Sequence, residues 1–132
     1  MFDEIRKAFS SLKTPEERYN FLIDLGRKLP TYPDALKIPE NLVPGCQSLL
    51  YLATTLRDGK MHFQAHSDAL ISKGLAALLL WAYDGCSPEE LLKNPPSFLQ
   101  ELGIFASLSP SRSNGLAQIY RRMQQEAVKN LR

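Results

Sequence analysis

Cys46 is the residue of this chain best suited to chemistry, and it lies in the stretch NLVPGCQSLLYL at residues 41–52. Pro44 and Gly45 come directly before it, and a glycine allows another backbone or a substrate to approach closely. An apolar run follows the cysteine. Because most free cysteines are small buried hydrophobes, the pattern leaves two interpretations open: a core cysteine, or a loop thiol exposed where the first strand begins.

A cysteine–histidine pair for acyl transfer or hydrolysis is the first chemistry to compare with the spacing. Asp58-Gly59 between two β-prone runs predicts a hairpin with a two-residue turn, and its register places His66 opposite Tyr51. Tyr51 is five residues from Cys46, or roughly 16 Å at about 3.3 Å per residue. A catalytic pair must lie within hydrogen-bond reach. We therefore expect no hydrolase. We interpret His62 and His66 as partly exposed sheet residues that are a weak candidate for a pair of metal ligands.

Two charged residues are predicted to lie near Cys46. Asp68 follows the hairpin and falls near Leu49, at the same end of the sheet as Cys46. As a carboxylate at the start of the next helix, it is favoured by the helix dipole. Arg112 stands in the first turn of the C-terminal helix, where a cation is less favourable. This position indicates another partner for the guanidinium, either a carboxylate such as Asp68 or an anionic group such as a thiolate.

The cysteine content limits the metal chemistry of the chain. There are two cysteines and two histidines, with neither a CxxC motif nor another clean ligand spacing. Iron–sulfur clusters usually take four thiolates, and structural zinc takes four Cys or His ligands. We therefore predict no metal and no cofactor of its own. Two cysteines also argue against a disulfide framework. Cys86 lies beside the capping motif of Ser87-Pro88, and we interpret it as structural.

Length and composition predict one globular domain over residues 1–132. The chain is 44% hydrophobic and 23% charged with a net charge of +2, so it has no strong field to recruit nucleic acid. The longest apolar run, LAALLLWAY at residues 75–83, is too short for a bilayer, which needs about 20 residues. Since the first residues show no apolar signal segment, we expect a cytoplasmic protein with no membrane contact.

Helix and strand signals predict an α+β domain. TPEERYNFLIDLGRKLP begins with a capping motif at Thr14, and SPEELLK repeats that start signal. A loop over 31–43 leads to the hairpin of 50–66, and SDALISKGLAALLLWAYDG should be the central buried helix. Further helices are predicted near Asp3 to Leu12, near Ser97 to Leu102 and at the amphipathic C-terminus. The order gives a small antiparallel sheet built on a β-hairpin, with helices packed on one face.

Three motifs resemble the pattern of the SufE-like family of sulfur acceptors. They are GCQS in LVPGCQSLLYL, SDA-x-I-x-KGL in SDALISKGLAALL, and PSR-x-x-GL in LSPSRSNGL. They stand in the family's order at compatible spacing, after a proline-rich lead-in, and the resemblance implies a SufE/IscU-like fold. Two positions depart from the family pattern: Tyr51 stands where the motif usually has Trp, and Ala65-His66 stands where Gly-Asp is common.

The resemblance also implies a mechanism. A SufS-like cysteine desulfurase, using its own pyridoxal phosphate (PLP), takes sulfur from free cysteine and holds it as a persulfide. The SufE-like protein accepts the terminal sulfur on the cysteine that matches Cys46, stimulates the desulfurase and delivers sulfur to an iron–sulfur assembly scaffold. It is an accessory protein more than a free-standing enzyme, and it could act as a homodimer. The residues implied to support Cys46 are Gly45, Gln47, Ser48, Asp68, Lys73 and Arg112.

A persulfide must be shielded from cellular thiols, yet burial raises the pKa of a thiol and hides it from the donor. We therefore expect a loop that tucks Cys46 away and swings out when the desulfurase docks. Arg112 would favour the thiolate, or hold the loop through Asp68. Two alternatives stay open: an iron–sulfur scaffold that pools cysteines in a dimer, and a non-catalytic binding module in which Cys46 is part of the core.

Overall fold

The computed structural model describes residues 1–46 and 48–131, and the side chain of Ser107 also lies outside what it describes. Within these residues the chain forms a two-stranded antiparallel sheet and helices, which confirms the predicted α+β class. The strands are β1 (Leu50–Arg57) and β2 (Lys60–Ser67). The helices are α1 (Asp3–Ser10), α2 (Pro15–Arg27), α3 (Leu70–Tyr83), α4 (Pro88–Lys93), α5 (Phe98–Glu101) and α6 (Pro110–Lys129). Short 3-10 turns lie at Asp34–Leu36, Pro39–Asn41 and Phe105–Ser107.

The β-hairpin forms where the sequence predicts it. Asp58 has a φ of 53° and Gly59 a φ of 75°, as a tight two-residue hairpin turn requires. The register pairs Tyr51 with His66 and Leu56 with Met61, as predicted. Because side chains alternate across a strand, one face of the hairpin points into the core. Its buried residues are Leu50, Leu52, Met61, Phe63 and Ala65.

The opposite face of the sheet is covered at one end by the loop that precedes β1. Tyr32 in this loop is only 5% exposed, and its ring centre lies 6.0 Å from that of Tyr51 and 6.1 Å from that of His66. The Tyr32 hydroxyl donates to the Leu36 carbonyl at 2.9 Å. The aromatic contact places the loop beside the start of β1. Helix α3 packs on the core face of the sheet, as predicted.

Helix α3 is the central element of the core, and most of its residues are buried. It packs against α2 and β2. A Cβ atom at Gly74 would lie 2.2 Å from the Leu22 carbonyl oxygen, and one at Gly26 would lie 2.8 Å from the Gly74 nitrogen. The glycine of the KGL motif therefore lets α2 and α3 approach backbone to backbone.

Side-chain caps begin the helices that the sequence predicts. The Thr14 hydroxyl accepts a hydrogen bond from the Glu17 amide at 3.1 Å, and Ser87 and Glu90 form a reciprocal capping box. The Ser109 side chain caps α6 in the same way. These bonds satisfy amides that a helix leaves unpaired at its start. Helices α1 and α2 end at Ser10 and Arg27, slightly earlier than predicted.

Helix α6 packs on α3 and α4 through one buried side, formed by Leu116, Ile119, Tyr120, Met123 and Ala127. The helix runs beside the residues that lead into β1. Its side chains Asn114 and Arg122 donate hydrogen bonds to the carbonyls of those residues. In the part of the chain that the structure describes, no helix is both long and apolar enough to cross a bilayer.

Candidate functional site

Cys46 lies in the segment between the loop and β1, facing the N-terminal half of α6. It is half-buried, and its Sγ lies 4.0 Å from the Gly115 carbonyl oxygen. The thiol lines a narrow pocket with a free volume of about 10 Å³, room for roughly one water-sized atom. The other lining residues are Leu50, Ser72, Leu75, Ser111, Arg112, Gly115 and Ile119. Of the two interpretations of Cys46, the structure shows a loop thiol with one side packed on the core.

Burial raises the pKa of the Cys46 thiol above its ordinary value. Arg112 lines the same pocket, and the sequence suggested that its charge would favour the thiolate. In this position of the loop, desolvation is the cause that sets the direction of the shift. Burial in the pocket therefore disfavours the thiolate of Cys46, which is the form that attacks.

The predicted partnership of Arg112 with Asp68 is wrong. The Arg112 guanidinium donates to the Ser72 hydroxyl at 3.3 Å across the α3–α6 contact. The Asp68 side chain is 75% exposed, and its carboxylate lies 3.3 Å from Nε2 of His66. Asp68 precedes α3, whose N-cap position is Ala69, so it does not cap the helix. The sequence placed Asp68 at the end of the sheet that carries Cys46 and Arg112 at the start of the C-terminal helix, but it could not show which residue Arg112 contacts.

The two ends of the segment that carries Cys46 are tied to the sheet. At the upstream end, Leu42 forms a bridge with Tyr51, and the Val43 amide donates to the Leu50 carbonyl at 2.9 Å. At the downstream end, the hydroxyl of buried Ser67 donates to the Leu49 carbonyl at 2.7 Å. The last residue of β2 therefore supports the residue that enters β1.

Arg122 is a site residue that the sequence analysis missed. Its guanidinium donates to the Leu42 carbonyl at 2.9 Å and also to the Glu40 carbonyl. Glu126, one turn further along α6, lies 3.3 Å from Nε of Arg122, and both side chains are less than one-fifth exposed. The spacing of Arg122 and Glu126 on one helix face was a usable signal of pairing. The contact with the loop carbonyls depends on tertiary structure alone.

Gly45 adopts a backbone conformation that favours glycine. Its φ is +84°, a region that costs other residues energy, and a Cβ atom there would lie 3.0 Å from Cγ of Gln118. The Asn114 side-chain amide donates to the Gly45 carbonyl at 3.3 Å. Asn114 occupies a variable position of the PSR-x-x-GL motif, and the motif therefore predicted no role for it.

The remaining predicted supporting residues lie apart from the thiol pocket or beyond the described residues. Gln47 is outside the residues that the structure describes. Ser48 is half-buried between Cys46 and β1, and Lys73 is half-buried on α3, one residue before the glycine that meets α2.

The histidines lie beside carboxylates, away from the thiol. Nδ1 of His62 is 3.9 Å from Asp84, and His66 contacts Asp68 as described above. This agrees with the expectation that no cysteine–histidine pair forms. Among residues 1–46 and 48–131, no group of three or more His, Cys, Asp or Glu side chains is placed to hold a metal ion.

A family model described as "SufE: Fe-S metabolism associated domain" matches residues 3–127. The chain belongs to the SufE family. The match covers all three motifs as well as α1 and α2, which precede them. The matched stretch also contains Arg122 and Glu126, which lie outside the three motifs.

Similar proteins come from bacteria and plants. An uncharacterised SufE-like protein of Synechocystis is 38% identical over 125 residues, covering 95% of this chain and 79% of the relative. The sulfur acceptor protein CsdE of Escherichia coli is 40% identical over 116 residues, covering 86% of this chain and 79% of CsdE. The chloroplastic/mitochondrial SufE-like protein 1 of Arabidopsis thaliana is 36% identical over 95% of this chain, which spans only 34% of that protein.

A solved structure shares this fold. The solution structure of a hypothetical protein from Thermus thermophilus superposes with a TM-score of 0.81 at 26% identity, covering 98% of this chain and 94% of the other. The arrangement of the hairpin and helices is therefore shared across the whole length of both chains. Cys46 in this SufE chain lies on a loop held between two parts of that common fold.

Proposed function

We propose that this chain is a sulfur acceptor that takes persulfide sulfur from a cysteine desulfurase onto Cys46. The observation that carries the proposal is the placement of Cys46: a half-buried thiol that lines a one-atom pocket, on a segment whose two ends are tied to the sheet. Membership of the SufE family supports it, as does the 40% identity to a protein named for sulfur acceptance.

The transfer step is a thiol exchange that needs no metal and no cofactor on this chain. The sulfur of Cys46 bonds to the terminal sulfur of the donor's persulfide, and the bond between the donor's two sulfurs breaks. The donor cysteine leaves as a thiolate and takes up the proton that Cys46 lost. The step needs no external oxidant or reductant, because the donor's persulfide is reduced to a thiol as the thiol of Cys46 is oxidised to a persulfide. The PLP that generates the first persulfide belongs to the desulfurase.

The pocket accounts for carriage after transfer. When the segment folds back, the terminal sulfur of the Cys46 persulfide can enter the space bounded by Leu50, Leu75 and Ile119, where cellular thiols do not reach it. Arg112 at the same wall can balance the negative charge of a persulfide. Its hydrogen bond to Ser72 keeps the guanidinium at the pocket rather than in solvent.

The same geometry supports an outward movement of Cys46 during transfer. A neutral, half-buried thiol reacts slowly, so Cys46 must leave its pocket to ionise and to reach the donor persulfide. Docking of the desulfurase would supply the free energy for this movement. The exposed Asp68 and the partly buried His66 lie at the same end of the sheet and are candidates for the docking surface. We expect the desulfurase to run faster once Cys46 removes its sulfur, and the sulfur to go to an iron–sulfur assembly scaffold.

Intact-protein mass spectrometry after incubation with a cysteine desulfurase, PLP and free cysteine tests the proposal. The expected result is a mass increase of one sulfur atom that a reductant removes, present in Cys86→Ser and absent in Cys46→Ser. Both variants should keep the wild-type melting temperature within a few degrees. If the desulfurase is active and wild-type Cys46 gains no sulfur, the proposal fails and the binding-module alternative takes its place.

A further inference from the structure

The segment that carries Cys46 is held strongly at its ends and weakly in its middle. The ends are fixed by backbone pairing with β1, by Ser67 and by Arg122. Within the described residues of the middle, Pro44 to Cys46, the contacts with α6 come from side chains. We propose that Asn114 is a positioning residue that latches Cys46 in its pocket, and that its release lets the thiol move between two fixed ends. This rests on the proposed function.

The fixed ends define how far the thiol can travel. Arg122 on α6 pairs with Glu126 and donates a hydrogen bond to the Leu42 carbonyl. Tyr51 of β1 forms a β-bridge with Leu42. Ser67 is 4% exposed and holds the Leu49 carbonyl at 2.7 Å. Because these anchors are partly buried, water does not readily replace them. The described residues Pro44 to Cys46 can then move without pulling β1 out of the sheet.

Apart from the packing of Cys46 against the core, two polar contacts hold the described middle residues, and both are weaker than the contacts at the ends. The Asn114 amide donates to the Gly45 carbonyl at 3.3 Å in an exposed position, where water can take over both groups. The Cys46 thiol lies 4.0 Å from the Gly115 carbonyl, and S–H is a weak donor. Among the described residues, the bond from Asn114 is the conventional hydrogen bond that joins Pro44 to Cys46 with the rest of the protein. Its loss therefore acts on the turn and leaves the ends in place.

Gly45 lets the turn lie close to α6. A Cβ atom at this position would lie 3.0 Å from Cγ of Gln118, while the Gly45 carbonyl accepts the hydrogen bond from Asn114. A single exposed hydrogen bond contributes little to folding. The closed and open positions of the thiol should accordingly differ by a small free energy, and a docking partner can reverse the balance.

The rate at which iodoacetamide alkylates Cys46 measures the latch directly. In a Cys86→Ser background, Asn114→Ala should raise the alkylation rate about 2- to 10-fold, the range expected for one net hydrogen bond. Alanine favours a helix more than asparagine does, so the fold is not at risk. The pH profile of alkylation should also move toward the ordinary pKa of cysteine, since an open thiol is no longer desolvated.

Asn130→Ala is the matched control. Asn130 also donates its side-chain amide to a carbonyl, that of Glu126, but it lies at the far end of α6. This variant should leave the alkylation rate of Cys46 unchanged. In a Cys46→Ser background, the buried Cys86 should be alkylated equally slowly with and without Asn114, which separates local release from global unfolding. Alkylation of Cys46 at the wild-type rate in Asn114→Ala, or a matching rise at Cys86, overturns the proposal.

Sulfur acquisition from the desulfurase supplies the second readout. If only the open fraction binds productively, Asn114→Ala should lower the half-saturating concentration by the same factor that raises alkylation, with the maximal rate unchanged. A lower maximal rate with no change in half-saturation contradicts the latch. Failure of the proposed function looks different: wild type then gains no sulfur, while Asn114→Ala still accelerates alkylation.

Discussion

The two cysteines of this chain follow glycines with almost the same φ angle, and yet they have different surroundings. Gly45 before Cys46 has a φ of 84°, and Gly85 before Cys86 has a φ of 85°. Cys86 is 8% exposed and belongs to the hydrophobic core, whereas Cys46 is half-buried and only packs against that core. The φ of the preceding glycine therefore does not distinguish the two cysteines.

The difference lies in how each turn is attached. The Gly85 amide donates to the Met61 carbonyl at 2.7 Å, and the Met61 amide donates to the Cys86 carbonyl at 2.7 Å. The turn of Cys86 is thus part of the backbone pairing of the sheet. The turn of Cys46 is held by an asparagine side chain and a weak thiol contact. Backbone hydrogen bonds hold the turn of Cys86 to β2. We expect the side-chain contacts at the turn of Cys46 to break more easily.

The largest expected difference is in native-state alkylation. Cys46 should react with iodoacetamide at least about 100-fold faster than Cys86, because a local opening exposes Cys46 while Cys86 requires opening of the core. Single-cysteine variants, followed by mass spectrometry at one pH, give the ratio. In urea the two rates should become equal. A native ratio near one would mean that the two turns are equally well attached.

Ser67→Ala asks whether the downstream end of the Cys46 segment is as firmly attached as the Cys86 turn. We expect a loss of about 1–2 kcal/mol in the free energy of unfolding, because the Leu49 carbonyl and the Ala69 amide lose their shared partner. Urea denaturation measures this change. Ser10→Ala removes an exposed hydroxyl that donates to the Lys7 carbonyl, and should change stability by less than about 0.5 kcal/mol. An equal effect of both substitutions would contradict the anchoring role of Ser67.

Alanine at the two glycines compares the turns themselves. Gly85→Ala should cost about 1 kcal/mol of unfolding free energy, because the turn cannot move away from its positive φ although nothing crowds the added Cβ. Gly45→Ala should cost less, since the turn can leave α6 and relieve both the strain and the contact with Gln118. Faster alkylation of Cys46 in Gly45→Ala should accompany that relief. A larger stability loss at Gly45 would show that its turn is the more rigid one.

The smallest effect concerns pH. Burial raises the pKa of Cys86 to about 11, so the folded state keeps its thiol neutral while the unfolded chain ionises near pH 9. The unfolded state binds fewer protons in that interval, so stability is full below pH 9 and is lost as pH rises toward 11. This cysteine should account for a loss of roughly 1 kcal/mol between pH 8 and 10. Tyr83 and Tyr120 also have raised pKa values and add to the loss in wild type.

Cys86→Ala isolates that contribution. The difference in unfolding free energy between wild type and Cys86→Ala should shrink as the pH rises from 8 to 10, with denaturation curves measured at each pH. A constant difference would mean that Cys86 ionises as easily in the folded protein as in the unfolded chain.

Local patterns predicted most of the fold. The hairpin register followed from Asp58-Gly59, and the starts of α2 and α4 followed from their capping motifs, because each depends on contacts within a few residues. The buried character of α3 followed from its composition. Helix ends were less accurate, since several residues in a row can stop a helix at similar cost.

The site was predicted less completely than the fold. Sequence motifs singled out Cys46, Gly45 and Arg112, but they suggested a contact between Arg112 and Asp68 that the structure replaces with one to Ser72. Asn114 and Arg122 received no role, although both reach carbonyls of the Cys46 segment. These contacts join residues that are 69 or more positions apart, and no local pattern reports them.

The sequence by itself determined the elements, the family resemblance and the cysteine to consider, because these depend on periodicity, turn chemistry and short motifs. Tertiary structure decided which cysteine is held by backbone and which by side chains. That decision depends on the packing of α6 beside the segment that leads into β1. The closeness of Gly45 to Asn114 and of Leu42 to Arg122 is a property of packed helices and strands, in which residues far apart in the chain become neighbours.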